Sequence, residues 1–121
     1  MNGANDQADL QVIQLAASNS VLIAGDLSEA NALEFERRIN ALKFAPGSSS
    51  ITLNLHDLDI EDGVALATIV NAIRRLRARA MRLVLIGAPQ MLGHNLYRVG
   101  LLGADRSIEL VEMRQDEPAG F

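Results

Sequence analysis

Between Ile51 and Leu76 the spacing of apolar residues changes period. Ile51, Leu53 and Leu55 alternate with Thr52 and Asn54, as side chains on a strand do. Leu66, Ile69, Val70, Ile73 and Leu76 then fall at i, i+3, i+4, i+7 and i+10, one stripe of a helix. A second switch follows. Leu83-Val84-Leu85-Ile86 is an unbroken apolar run, which predicts a central strand covered on both faces. Leu92, Leu96 and Val99 are then spaced for one side of another helix, ended by Gly100 and Gly103. Strands that alternate with helices in this way fold as a mostly parallel sheet with right-handed crossovers.

The flanks add to this pattern. Leu10, Val12, Ile13 and Leu15 read as a first strand, Ser18-Asn19 as a turn and Val21-Leu22-Ile23 as a second strand, together an antiparallel hairpin. Gly25-Asp26-Leu27-Ser28 ends it, and Ser28 is placed to cap a helix running to about Lys43. Ala32, Leu33, Phe35, Ile39 and Leu42 are the apolar positions of that helix. Ala45 to Ser50 is a breaker loop, and Ser107 to Glu112 a last short strand. The predicted order is β-β-α-β-α-β-α-β: an α/β fold with a small mixed, mostly parallel sheet and packed helices. Residues 1–8 read as a disordered N-terminus, 9–113 as one domain and 114–121 as a loose tail.

Composition narrows the function classes. With 121 residues and 49% apolar content, the chain is long enough for one core. It has no cysteine, so disulfides and thiolate chemistry are excluded. Two histidines, His56 and His94, are too few for a histidine-rich metal site, and His94, without neighbouring ligands, reads as a surface or packing residue. A net charge of -4 argues against general nucleic-acid binding, and no aromatic residues interleave with the arginines from Arg74 to Arg82. No stretch approaches the roughly 20 apolar residues of a membrane span. MNGANDQADL lacks the basic and apolar parts of a secretory signal, so the cytoplasm is the expected location.

The stretch LHDLDIEDGVAL, residues 55–66, concentrates acids at a strand-to-helix turn. An EF-hand loop counted from Asp57 has acids at positions 1, 3 and 5, but Asp62 stands where glycine is needed and Thr68 where a bidentate glutamate is needed. Phosphoryl transfer on the Asp57/Asp59 pair lacks a cation nearby, since the single lysine, Lys43, is on another element. A structural reading fits better: Asp62 is the N-cap of the helix, and Asp57 and Asp59 are polar loop residues. Thr68 is expected on the outer face of that helix. Ser48, Ser49 and Ser50 read as a plain linker.

Several of these segments, taken in order, resemble the STAS domain. Its members carry a strand ending in Asp-Leu, then Asp-Ser-Ser-Gly-Leu opening a helix, then a strand and a helix closing in Leu-x3-Gly-Leu. Here Asn54-Leu55 stands at Asp-Leu, and Asp62 followed by Gly63-Val64-Ala65-Leu66 at Asp-Ser-Ser-Gly-Leu. Leu96-Tyr97-Arg98-Val99-Gly100-Leu101 fits Leu-x3-Gly-Leu, and Gly25-Asp26-Leu27 resembles the family's turn into its first helix. In antagonists of anti-sigma factors the first serine of the motif is the phosphate acceptor. Gly63 stands there and has no hydroxyl.

The resemblance implies a non-catalytic interaction module, without cofactor or metal, that acts in bacterial signalling and transcription control. Its partner would be a kinase-like anti-sigma factor, reached through a surface that includes Asp26, Ser28, Asn54, Glu61, Asp62, Gly63 and Val64. The fixed charge of Glu61 and Asp62 would resemble a phosphorylated state. Two further readings stand beside it: an accessory subunit of a lipid-transporting ABC ATPase, and a small-molecule or metal sensor or enzyme using the acidic turn.

Overall fold

A hairpin opens the fold. The computed structural model of the protein describes residues 9–15, 19–45, 48–102 and 108–112. Strands β1 (Gln11–Leu15) and β2 (Ser20–Leu27) pair antiparallel, with Ile13 opposite Leu22. A 3-10 turn, Glu29–Asn31, leads into α1 (Ala32–Asn40). β3 (Ser50–Asn54), the three-residue β4 (Leu58–Ile60), α2 (Gly63–Arg77), β5 (Arg82–Ile86), α3 (Gln90–Arg98) and β6 (Ile108–Val111) follow. The sheet order is β1-β2-β3-β5-β6, parallel after the hairpin, and β4 pairs with the far end of β2. The expectations for Ser18, for Gly103, for residues 1–8 and for the tail 114–121 lie outside the described residues.

Register decides which side chains share a face. Val21, Leu53 and Leu85 lie in one row across β2, β3 and β5, and all three are buried. Ile23, Ile51, Leu55 and Leu83 join them, together with Phe35 and Ile39 of α1, Ile69, Ile73 and Leu76 of α2, and Leu92 and Leu96 of α3. Each fully buried side chain of this size contributes roughly 1.5–3 kcal/mol. The neighbouring row, Leu22, Asn54 and Ile86, points to the other face and is only half-buried. Helix α2 packs between α1 and α3, so the helices form one layer on one face. The expectation that β5 is covered on both faces is therefore corrected: Leu83 and Leu85 are buried, while Val84 and Ile86 line the open face.

Five smaller expectations also change. Asp59 is not a loop residue, because Leu58–Ile60 forms a strand on β2. Leu33 points outward with 61% of its surface exposed, and Val99 is exposed at the C-cap of α3. Thr68 is buried, and its hydroxyl donates to the Val64 carbonyl at 2.7 Å, so it offers no free hydroxyl. Ser48 is also buried, and its hydroxyl donates to the Ala45 carbonyl. The arginines after Arg74 divide by role. Arg79 donates to the Leu42 carbonyl at 2.6 Å and lies 4.9 Å from the Phe44 ring centre, while Arg74 and Arg75 are exposed.

Candidate functional site

The C-terminal end of β2 must turn sharply while a second strand joins it. Gly25 adopts a φ of +96°, and a Cβ there would overlap the Asp9 carbonyl. Its N–H donates to the Asp57 carbonyl at 3.0 Å, which brings β4 alongside. Leu27 then pairs with Ile60, and Asp26 with Asp59. Leu27 and Ile60 are buried on the helix side, so the alternation of a strand puts Asp26 and Asp59 on the opposite side.

Asp26, Asp59 and Glu61 each bring a carboxylate oxygen within 4.8 Å of the others; Asp26 is half-buried and the other two are exposed. The group could in principle surround a cation, although exposed acids gather in this way without one. Desolvation holds the Glu61 carboxyl above the usual glutamate range, followed by the charge of Asp26, a hydrogen bond with Asp59 and the charges of Asp59 and Asp62. Asp57, the first residue of the sequence-level Asp-x-Asp pair, stands apart and lies 3.9 Å from the His56 imidazole.

Asp62 behaves oppositely although it is the next residue. It has an extended backbone, φ -154° and ψ 179°, as an N-cap does. One carboxylate oxygen accepts from the Ala65 N–H at 2.8 Å and the other from the Glu29 N–H at 3.0 Å. These bonds, Glu29 first and Ala65 second, hold its carboxyl below the usual aspartate range. Asp62 therefore caps α2 and ties it to the turn after β2. That turn is itself closed by local bonds. The Ser28 hydroxyl accepts from the Ala30 N–H, the Asn31 side-chain Oδ1 accepts from the Ser28 N–H, and the Asn31 side-chain Nδ2 donates to the Asp26 carbonyl at 2.8 Å.

The structure thus brings Asp26, Ser28, Glu61, Asp62, Gly63 and Val64 to two adjoining turns. Their exposures differ. Ser28 is buried and positions the turn, while Val64 is 45% exposed. Gly63 opens α2, and a Cβ there would meet nothing within 4 Å. Asn54 does not join the group. It shares the open face with Leu22 and Ile86, and its carbonyl oxygen accepts from the His56 N–H at 3.1 Å, closing the turn between β3 and β4.

A second concavity lies at the ends of β5 and β6. A cleft of about 880 Å³ is lined by His56, the Gly87 to Gln90 turn, His94 and Glu112, among others. Gly87 has a φ of +68°, and a Cβ there would stand 2.9 Å from the Cβ of His56. Sequence reasoning treated His94 as a surface or packing residue and did not connect it with His56. The one signal for the cleft was the Gly87-Ala88-Pro89 turn at the end of a parallel strand, where clefts form in such sheets.

Comparison with known proteins agrees with the geometry. The sequence model of the STAS domain matches residues 13–113. No curated protein matches the chain. Among solved structures, the phosphorylated form of the Bacillus cell fate determinant SpoIIAA has a TM-score of 0.60 at 18% identity, covering 90% of this chain and 95% of that one. The anti-sigma factor antagonist SpoIIAA in its unphosphorylated form gives 0.52 at 17% identity, with 88% and 89% covered. An uncharacterized Shewanella loihica protein of the DUF3478 family, with a SpoIIAA-like fold, gives 0.54 at 10% identity, with 98% and 96% covered. At such identities the structural likeness speaks for the fold. The match over 13–113, with a turn into α2 and a sheet carrying one layer of helices, shows that the chain belongs to the STAS domain family.

Proposed function

We propose that the chain is a non-catalytic, cytoplasmic interaction module of the anti-sigma-factor-antagonist type, binding a kinase-like anti-sigma factor or a related signalling protein. The observation that carries this reading is the brace made by Asp62, which holds the turn after β2 against the first turn of α2. Gly63, Val64, Ala67 and Asn71 lead outward from that brace along the exposed side of α2. A surface ordered before binding loses less entropy when a partner arrives.

Gly63 gives the module a fixed state. It occupies the position of the family's acceptor serine without a hydroxyl, so a kinase has no substrate there. Asp62 is a poor stand-in for a phosphate, because backbone N–H groups already occupy both of its oxygens. Glu61, with Asp59 beside it, supplies the charge that a partner meets. No described helix is long and apolar enough to cross a membrane.

The test is capture of partners from native extract by the tagged chain, with Gly63→Ser and Glu61→Lys in parallel. Binding of a kinase-like or anti-sigma protein, weakened by Glu61→Lys and made phosphate-sensitive by Gly63→Ser, is the expected result. Capture of a transport ATPase would replace this reading with that of a transporter accessory subunit. The proposal fails if partner binding is indifferent to both substitutions.

A further inference from the structure

The described strands that end the sheet differ in how they present their free edges. β6 carries Glu109, which pairs with Arg82 of β5, and β4 carries Asp59. Charges on an edge strand discourage a second chain from adding to it. β1, Gln-Val-Ile-Gln-Leu, has no charge and no proline. It stands at the end of the strand order, with β2 as its strand partner, and its other edge is open among the described residues. Ile13 and Leu15 are 43% and 52% exposed, on the open face beside Leu22 and Ser20.

We infer that the β1 edge is an interface for a second copy of this chain, joined by antiparallel β1–β1 pairing about a two-fold axis through Ile13. The sequence of the strand suits that axis. Ile13 falls opposite Ile13 of the second copy, Gln11 opposite Leu15 and Val12 opposite Gln14. No like charges meet within the strand, the exposed Ile13 faces its own copy, and the exposed Leu15 lies against the uncharged Gln11. An axis perpendicular to the sheet keeps both open faces on one side, so the two sheets continue as one. At the rim, Arg38 is already neutralised by Glu34 at 2.9 Å while it donates to the Leu10 carbonyl. This interface uses elements other than the turn into α2, so it stands or falls independently of the proposed function.

The absence of cysteine makes the test clean. Opposed residues of an antiparallel pair have Cα atoms about 4.5 to 5.5 Å apart, within the roughly 4.4 to 6.8 Å that a disulfide spans. Ile13→Cys in the full chain should therefore form a covalent dimer under mild oxidation, while Tyr97→Cys, on exposed α3, should not. In sedimentation equilibrium the wild type should dimerise, and Ile13→Lys should raise the dissociation constant at least tenfold with an unchanged circular dichroism spectrum. A wild type that stays monomeric at every concentration would overturn the inference. So would equal cross-linking by both cysteine variants, or a monomer that instead takes up a different protein along β1. If Ile13→Lys does not fold, the uncharged cysteine pair decides the matter.

Discussion

Helix α2 begins at Asp62, whose two carboxylate oxygens hold amides from two segments, whereas α3 begins at Pro89 with no side chain on its free amides. Both helices follow parallel strands, and both starts stand at a strand end where a site can form. The α2 turn is closed by charge and hydrogen bonds, with open space above Gly63. The α3 turn has no such side-chain brace: the Gly87 N–H donates to the Val111 carbonyl at 2.8 Å, Gly87 packs against His56, and the turn opens into a cleft. The contrast teaches where tolerance lies. The acidic turn can vary at its exposed glycine but not at its cap, and the neutral turn cannot vary at its glycine.

The strongest way to break the contrast is Gly87→Ala. The positive φ and the contact with the His56 Cβ should cost about 1 to 3 kcal/mol, read from the midpoint of urea unfolding. Asp62→Ala should come next, lowering the melting temperature by several degrees at neutral pH and loosening the turn after β2, visible as faster amide exchange at Glu29 and Ala65. Its pH dependence has a definite sign. The folded state holds the Asp62 carboxyl low, so its contribution is present above the ordinary aspartate range and is lost as pH falls through its folded value. The difference between wild type and Asp62→Asn should therefore vanish in acid.

Gly63→Ala sharpens the contrast from the other side. With empty space around the new methyl, it should stabilise the fold by about 0.4 to 1 kcal/mol through the unfolded chain, as the same substitution at Gly87 cannot. The smallest effect belongs to Glu61→Gln. The folded state favours the protonated form of Glu61, so the ionised form costs stability as pH rises through the glutamate range. The variant should be slightly more stable than wild type at neutral pH and equal to it in acid. Thermal melts across that range, compared with those of Asp62→Asn, should show adjacent carboxylates with opposite signs.

Much of this was legible locally. The period change after Leu55, the stripe from Leu66 to Leu76 and the cap at Asp62 appear where the sequence predicted them, whereas Ser28 caps the 3-10 turn and not α1 itself. The acidic turn was read correctly as structural at Asp62. What Asp62 reaches with its second oxygen was not readable, because Glu29 lies 33 residues away. Asp26 and Asp59 face each other for the same reason, through a strand pairing that no local pattern announces.

Composition and spacing determined the class of fold and the order of most elements, since each depends on residues a few positions apart. Tertiary structure decided the rest. Leu58–Ile60 is too short to declare itself a strand and exists by virtue of β2. The run Leu83 to Ile86 is apolar throughout, but only the helix layer determines which of its residues are buried, and that layer forms on one face. Thr68 turned inward, and Leu33 outward, for the same physical reason. The apolar positions of a helix set the direction of its buried stripe, and what the helix packs against sets how far the stripe extends to either side.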